Sequence, residues 1–282
     1  MIRHPLVFTD LDGTLLDHFT YSFEAAQPVL DYLDEKQVPV IANTSKTSAE
    51  LIHIRKEINN TCPFIVENGA AVYLPKKRFV DCPEGCVDDG ALWRYEMSRP
   101  RHHWLELLQQ LKPRFHSLFT SFSCLTNEQL VKLTGLTSEQ AERAAQREFG
   151  EPVLWHGNRE DKHIFIQAVN ELGGNVLQGG RFLHIGDKVN KGAAMQWLKQ
   201  LYSKLYPESE FQSIALGDSQ NDVDMLEQAD HAVVIASPTH TAPELVRQSN
   251  LIHSKAYGPE GWTEALIQLL EIPAQALLKR EK

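Results

Sequence analysis

Three short apolar runs near the N-terminus each break off at polar residues. Leu6-Val7-Phe8-Thr9 stops at Asp10, residues 38–42 stop at Asn43-Thr44-Ser45, and Phe64-Ile65-Val66 stops at Glu67-Asn68-Gly69. Runs this short and this apolar predict strands buried on both faces, as in a parallel sheet. Between them, residues 24–36 place Val29, Leu30 and Leu33 at helical spacing, with Pro28 near the start, where proline is tolerated. Residues 48–58 predict a second helix with Ser48 as its N-cap. The β-α-β-α-β rhythm predicts an α/β fold with a Rossmann-like, doubly wound parallel sheet. Ligands of such sheets sit at the carboxyl ends of the strands, where the polar residues fall here.

From about residue 86 the rhythm changes. Helices are expected near 101–112 and 137–148, and strands at 153–155 and 163–166, with Gly173-Gly174 and Gly179-Gly180 closing the region. The α/β alternation then resumes, with strands at 182–185, 213–216 and 232–235 and helices at 191–202 and 223–227. The tail after residue 270 reads as a helix ending in Lys-Arg-Glu-Lys. The expected organisation is a core of residues 1–85 and 181–282 interrupted by an inserted α+β domain, 86–180.

The function classes narrow on charge. With 28 Lys and Arg against 37 Asp and Glu, the formal net charge is −9, and no basic run offers a footprint for nucleic acid or anionic membrane. No apolar stretch has the length of a signal peptide or a membrane span, so a cytoplasmic location is expected. The four cysteines, Cys62, Cys82, Cys86 and Cys124, read as free thiols. Cys82 and Cys86 have no second Cys/His pair to complete a zinc site. An anionic substrate must therefore find its positive potential in a few local side chains.

Four segments carry chemistry. In Asp10-Leu11-Asp12-Gly13-Thr14 two carboxylates lie two residues apart just beyond a buried strand. Side chains at i and i+2 of an extended chain point the same way, and a divalent cation relieves their repulsion. Asp10 can then attack phosphorus as a nucleophile while Asp12 serves as acid and base. Alone the motif also fits a surface turn or a calcium loop; the buried strand before it favours catalysis. Thr44, Ser45 and Lys46 follow the second strand and can meet a phosphate or another anionic group, or can cap a helix and face solvent. Lys191, or its neighbour Lys188, stands at a helix start where an ammonium can hold a phosphoryl oxygen. In Gly217-Asp218-Ser219-Gln220-Asn221-Asp222, Asp218 suits a metal ligand, Asp222 can orient it, and Asn221 can bond to the same cluster. Hard oxygen donors point to magnesium.

In this order the four segments resemble the motifs of haloacid dehalogenase superfamily phosphatases. The resemblance covers the core, with an insertion placed as in the branch carrying an α+β cap of type IIB. It implies an aspartyl-phosphate mechanism with Asp10 as nucleophile, Asp12 as acid/base, Thr44 and Lys191 on the phosphate, and magnesium held by Asp10, the Asp12 carbonyl and Asp218 with Asp222 in support.

A narrower resemblance reaches into the insertion. Asn43-Thr44-Ser45-Lys46-Thr47, Arg147-Glu148-Phe149-Gly150-Glu151-Pro152, Gly179-Gly180-Arg181-Phe182-x-His184 and Gly258-Pro259-Glu260-Gly261-Trp262 resemble the mannosyl-3-phosphoglycerate phosphatases. This implies release of mannosylglycerate, a compatible solute, from its phosphate. Arg181 becomes a candidate for the substrate carboxylate or phosphate, since a guanidinium binds either in bidentate fashion. Asn68, Arg147, Glu148 and Glu151 become candidate sugar contacts, with Arg147 and Glu148 equally explicable as a helix-terminal ion pair. The alternatives are a general sugar-phosphate or sucrose-phosphate phosphatase and, in another class, a non-catalytic phosphosugar-binding protein.

Overall fold

The computed structural model describes residues 3–115, 117–179 and 182–277. In chain order the elements begin β1 (Pro5–Thr9), α1 (Gln27–Glu35), β2 (Val40–Asn43), α2 (Ser48–Glu57), β3 (Phe64–Val66), β4 (Ala71–Pro75), β5 (Val87–Asp89) and β6 (Leu92–Glu96). There follow α3 (Arg101–Phe115), β7 (Phe119–Ser121), α4 (Asn127–Thr134), α5 (Ser138–Ala145), β8 (Glu151–Trp155), α6 (Arg159–Glu171), β9 (Asn175–Gly179) and β10 (Phe182–Gly186). The chain ends with α7 (Lys191–Leu205), β11 (Gln212–Gly217), α8 (Val223–Gln228), β12 (His231–Ala236), β13 (Leu251–Tyr257), α9 (Gly258–Leu270) and α10 (Ala274–Leu277).

Two compact units result. One comprises Met1–Thr44, Arg55–Tyr95 and Asn190–Lys282; the other comprises Ser45–Ile54 and Glu96–Val189. The first is built on a nine-stranded sheet in the order β13-β12-β11-β1-β2-β3-β4-β6-β5. The pairings from β13 through β3 are all parallel, and β4 turns back antiparallel on β3. β1 lies near its centre, with Leu6, Val7 and Phe8 fully buried ahead of a buried Thr9. That is the fate expected of a strand covered on both faces.

The second unit is an α+β body. Its antiparallel sheet runs β7-β8-β10-β9. Trp104, Leu107, Leu108 and Leu111 of α3 and Phe165, Ala168 and Val169 of α6 cover one face, meeting Phe119, Val153, Leu183 and Ile185 from the strands. A smaller cluster joins α4 and α5 through Phe122, Leu130 and Ala141. Both of these short helices open with a capping box: the Thr126 and Thr137 side chains accept from the Gln129 and Gln140 backbone N–H groups, and each glutamine side chain bonds back. Such boxes satisfy donors that a helix start otherwise leaves open.

Three local expectations are corrected. The strand expected at 163–166 lies inside α6. Three apolar residues in a row cannot reveal their period; Phe165, Ala168 and Val169 share a helical face, and the Asn158 side chain caps the helix by accepting from Asp161 N at 2.9 Å. The cap of α2 is Thr47, one residue before Ser48. Glu50 N donates to Thr47 Oγ1 at 3.2 Å, and the Glu50 carboxylate accepts from Thr47 N at 2.8 Å. The helix expected to reach 148 ends at Ala145. Of the helix expected in the tail, the described residues show α10, and residues 278–282 lie outside them. No described helix is long and apolar enough to cross a membrane.

Candidate active site

The polar residues at the strand ends converge within the first unit. Asp10 follows β1, and its N–H donates to Leu216 O of β11 at 2.9 Å, so the ladder carries one residue past the strand before the chain turns. Leu16 N and Thr14 N both donate back to Leu11 O, at 2.8 and 3.1 Å, closing a tight loop around Asp12 and Gly13. Gly13 has φ +79°, and a Cβ there would lie 2.6 Å from Asp218 Oδ2, so only glycine fits on both counts. Behind the loop, the buried Trp262 indole of α9 donates to Thr9 Oγ1 at 3.1 Å, and that hydroxyl donates to the Asp10 carbonyl at 2.6 Å.

Lys191 enters from α7. Asn190 caps this helix by accepting from Ala193 N at 2.7 Å, which sets Lys191 at the first helical position. The cap is pressed against the β3–β4 turn. Glu67, Asn68 and Gly69 all have positive φ there, and a Cβ on Gly69 would stand 2.2 Å from Asn190 O. Asn43 at the end of β2 donates to the Lys191 carbonyl at 2.9 Å. The Lys191 side chain is wholly buried, with Nζ 2.6 Å from Asp10 Oδ1 and 2.7 Å from Asp222 Oδ1.

The turn after β11 supplies the remaining acids. Asp222 Oδ2 accepts from Asp218 N at 3.1 Å, Ser219 N at 3.0 Å and Ser219 Oγ at 3.2 Å. With Lys191 on its other oxygen, Asp222 is a brace that fixes both Lys191 and the Asp218 backbone. Asp218 accepts from Thr14 Oγ1 at 3.3 Å and lies 3.1 Å from His240 Nε2. Asn221 reaches across to Asn68, Nδ2 to Oδ1 at 3.0 Å.

Ligand oxygens of Asp10, Asp218 and Asp222 lie within 4.8 Å of one another, and all three residues are buried. Burial pushes the Asp10 carboxyl up to about 8; Lys191 opposes the rise, and Asp222, Asp218 and Asp12 add to it. Asp218 is raised by the same burial and by Asp222, against His240 and Lys191. Burial works against the Lys191 charge, but Asp10 and Asp222 outweigh it and hold its pKa above the usual lysine value. Three buried carboxylates against one buried ammonium leave an excess negative charge, and every free donor is a hard oxygen. Such a set fits a divalent cation of the magnesium class.

The other residues singled out from sequence fall as follows. Asp12 is half-buried and forms an isolated bridge with Leu16. Thr44 is buried, its N–H on Ile65 O at 3.2 Å and its carbonyl accepting from Asn68 N at 2.9 Å. Ser45 and Lys46 belong to the second unit with Arg147 and Glu148. There Arg147 donates to Ser45 O at 3.2 Å, Ser48 donates to the Glu148 carboxylate, and Lys46 stands 3.8 Å from Glu50. Glu151 is fully buried in an ion pair with Arg101 at 2.6 Å and accepts from Ser123 N at 2.8 Å, which makes it a structural anchor rather than a sugar contact. Lys188 is exposed. Arg181 lies outside the described residues. Sequence reasoning gave no role to Asn43, Thr14, Trp262 or His240. A polar residue ending a fully buried strand could have flagged Asn43; His240, in a loop of no clear pattern, left no such signal.

Comparison with known proteins agrees with this geometry. Residues 7–83 and 157–248 match the haloacid dehalogenase-like hydrolase family. A glucosyl-3-phosphoglycerate/mannosyl-3-phosphoglycerate phosphatase of Methanococcoides burtonii is 34% identical over 94% of this chain and 97% of its own length. A protein of the same name from Persephonella marina is 35% identical over the same shares. The sucrose-phosphatase of Synechocystis, solved with sucrose and phosphate, shares the fold with a TM-score of 0.60 at 15% identity, covering 95% of this chain and 98% of that one. The family match at residues 7–83 and 157–248, with relatives 34% and 35% identical along 94% of the chain, shows that it belongs to the haloacid dehalogenase-like hydrolase family.

Proposed function

We propose that this chain is a magnesium-dependent phosphomonoester hydrolase that removes the phosphate from a glycosyl-3-phosphoglycerate, the mannosyl compound foremost. The observation that carries the reading is Asp10, buried at the end of β1 and held by Lys191 at 2.6 Å beside Asp218. The names of its relatives, at 34% and 35% identity, supply the substrate class.

In the proposed reaction Asp10 Oδ attacks phosphorus, forming an acyl phosphate as the ester P–O bond breaks. Asp12 gives its proton to the leaving alkoxide, then takes a proton from the water that cleaves the acyl phosphate and regenerates Asp10. Lys191 and the Thr44 hydroxyl hold phosphoryl oxygens, and Asp222 keeps the Lys191 ammonium in place. Asp10, the Asp12 carbonyl and Asp218 would hold the magnesium ion. When bound, that ion neutralises the carboxylates and the phosphoryl charge, which keeps Asp10 ionised at neutral pH. The inserted α+β domain is proposed as the cap that selects the substrate, with Lys46, Arg147 and Arg181 as cations for the glycerate carboxylate. A cytoplasmic setting fits a small phosphorylated sugar as substrate.

Phosphate release with magnesium tests the reading on mannosyl-3-phosphoglycerate, glucosyl-3-phosphoglycerate, sucrose-6-phosphate, hexose phosphates and 3-phosphoglycerate. Preference for the first two supports it. Preference for sucrose-6-phosphate or hexose phosphates replaces the substrate while keeping the chemistry. No release from any of the panel removes both.

A further inference from the structure

The two oxygens of Asp218 have different surroundings. Oδ1 accepts a long bond from the Thr14 hydroxyl, 3.3 Å. Oδ2 lies beside Gly13, where a Cβ would come within 2.6 Å, and it faces His240 Nε2 at 3.1 Å. His240 belongs to the segment between β12 and β13, with its side chain 37% exposed against 3% for Asp218. Its other ring nitrogen lies 3.2 Å from the Thr241 carbonyl.

We infer that His240 makes Asp218 a one-oxygen ligand and so selects a small six-coordinate cation against a larger one. The inference rests on Asp218 being a cation ligand. Magnesium takes near-octahedral geometry, binds carboxylates through single oxygens and keeps several waters. Calcium accepts more oxygens at longer range and readily uses both oxygens of one carboxylate. An imidazole N–H on Oδ2 takes up that oxygen and leaves Oδ1 to give. Without that N–H, the carboxylate can turn and offer both. Partners of this kind, outside the ligand set but bonded to it, commonly change metal affinity by about 10–100-fold when removed. His240 is thus a positioning residue whose effect is read in metal choice before it is read in turnover.

The test is calorimetric titration of magnesium and of calcium into the chelator-treated full chain, free of substrate. It compares wild type with His240→Ala, His240→Gln and Asp218→Asn, each checked for native circular dichroism. In His240→Ala the ratio of magnesium to calcium affinity is expected to fall roughly tenfold. In His240→Gln, whose amide N–H can still donate to Oδ2, most of the ratio is expected to return. If His240→Ala stays within about twofold of wild type while Asp218→Asn loses binding, the inference fails and the metal site stands. If glutamine behaves like alanine, the donor is not the cause and the inference also fails. If Asp218→Asn leaves binding unchanged, the metal-site reading and the inference fall together.

Discussion

The buried carboxylates make the stability of the cation-free protein depend on pH in an unusual direction. The Asp10 carboxyl titrates near 8 in the fold against an ordinary 3.8. Its folded pKa is raised, so the native state holds a proton that the unfolded chain has already released. Its stabilising contribution is full below 3.8 and is lost as pH rises through 8. Below about 6.5 two groups oppose this slope. His184 is pushed down to about 3 by burial and the Arg147 charge, and burial depresses His231 as well. Those histidines add stability as pH climbs through their ordinary value of 6.5 and little above about 7. The clearest window is therefore pH 7 to 8. There the Asp10 equilibrium gives a loss on the order of 1 kcal/mol. At this chain length that corresponds to roughly 2 °C in Tm. The assay is thermal unfolding in chelator at pH 6.5, 7.0, 7.5 and 8.0, repeated with saturating magnesium and with Asp10→Asn. The wild-type Tm should fall with pH in chelator. The slope should flatten in magnesium, which holds Asp10 ionised, and in the asparagine variant, which has no proton to lose. A chelated wild type whose Tm is flat or rises between pH 7 and 8 would refute the reasoning.

Other outcomes follow from the same geometry. Asp12→Asn should slow turnover by about 10²–10⁴-fold while leaving the fold intact; single-turnover phosphate release at wild-type rates would remove Asp12 as acid and base. Gly13→Ala should cost about 1–3 kcal/mol in urea unfolding, from a positive φ and a Cβ driven into Asp218, and should weaken magnesium binding with it. Glu151→Ala strips the partner from the largely buried Arg101 guanidinium and should cost about 3–5 kcal/mol by denaturant titration. A loss below about 1 kcal/mol would mean that Arg101 finds water or another acceptor.

The core was readable because its central strands carry short apolar runs that stop at polar side chains. Repeated with helices between them, runs such as Leu6-Val7-Phe8 fit a parallel sheet covered on both faces. The acids and Lys191 could be found for the same reason, since each follows directly on a strand end or opens a helix. The inserted domain resisted because its strands are short and mixed in pattern. β7 spans three residues, and the apolar stretch within α6 is the same length as a strand. Local spacing could not tell Ile164-Phe165 in a helix from the same pair in a sheet; packing of α6 on α3 across the antiparallel sheet decided it. Sugar contacts were assigned by resemblance, and Glu151 shows the limit of that route: a carboxylate in a matching segment turned out to anchor Arg101. His240 was out of reach because its partner is 22 residues away in sequence and no period connects a loop to a strand end.

The α4–α5 hairpin rests on three buried side chains and closes its own helix starts with Thr–Gln boxes. Little apolar burial holds it in place. In native-state hydrogen exchange its amides should open as a cooperative unit, well before those of β1 and β11. Within the domain proposed to choose the substrate, this hairpin is the piece that can be lengthened, replaced or loosened while the phosphoryl-transfer core stays folded, which gives a lineage a low-risk place to change what the enzyme accepts.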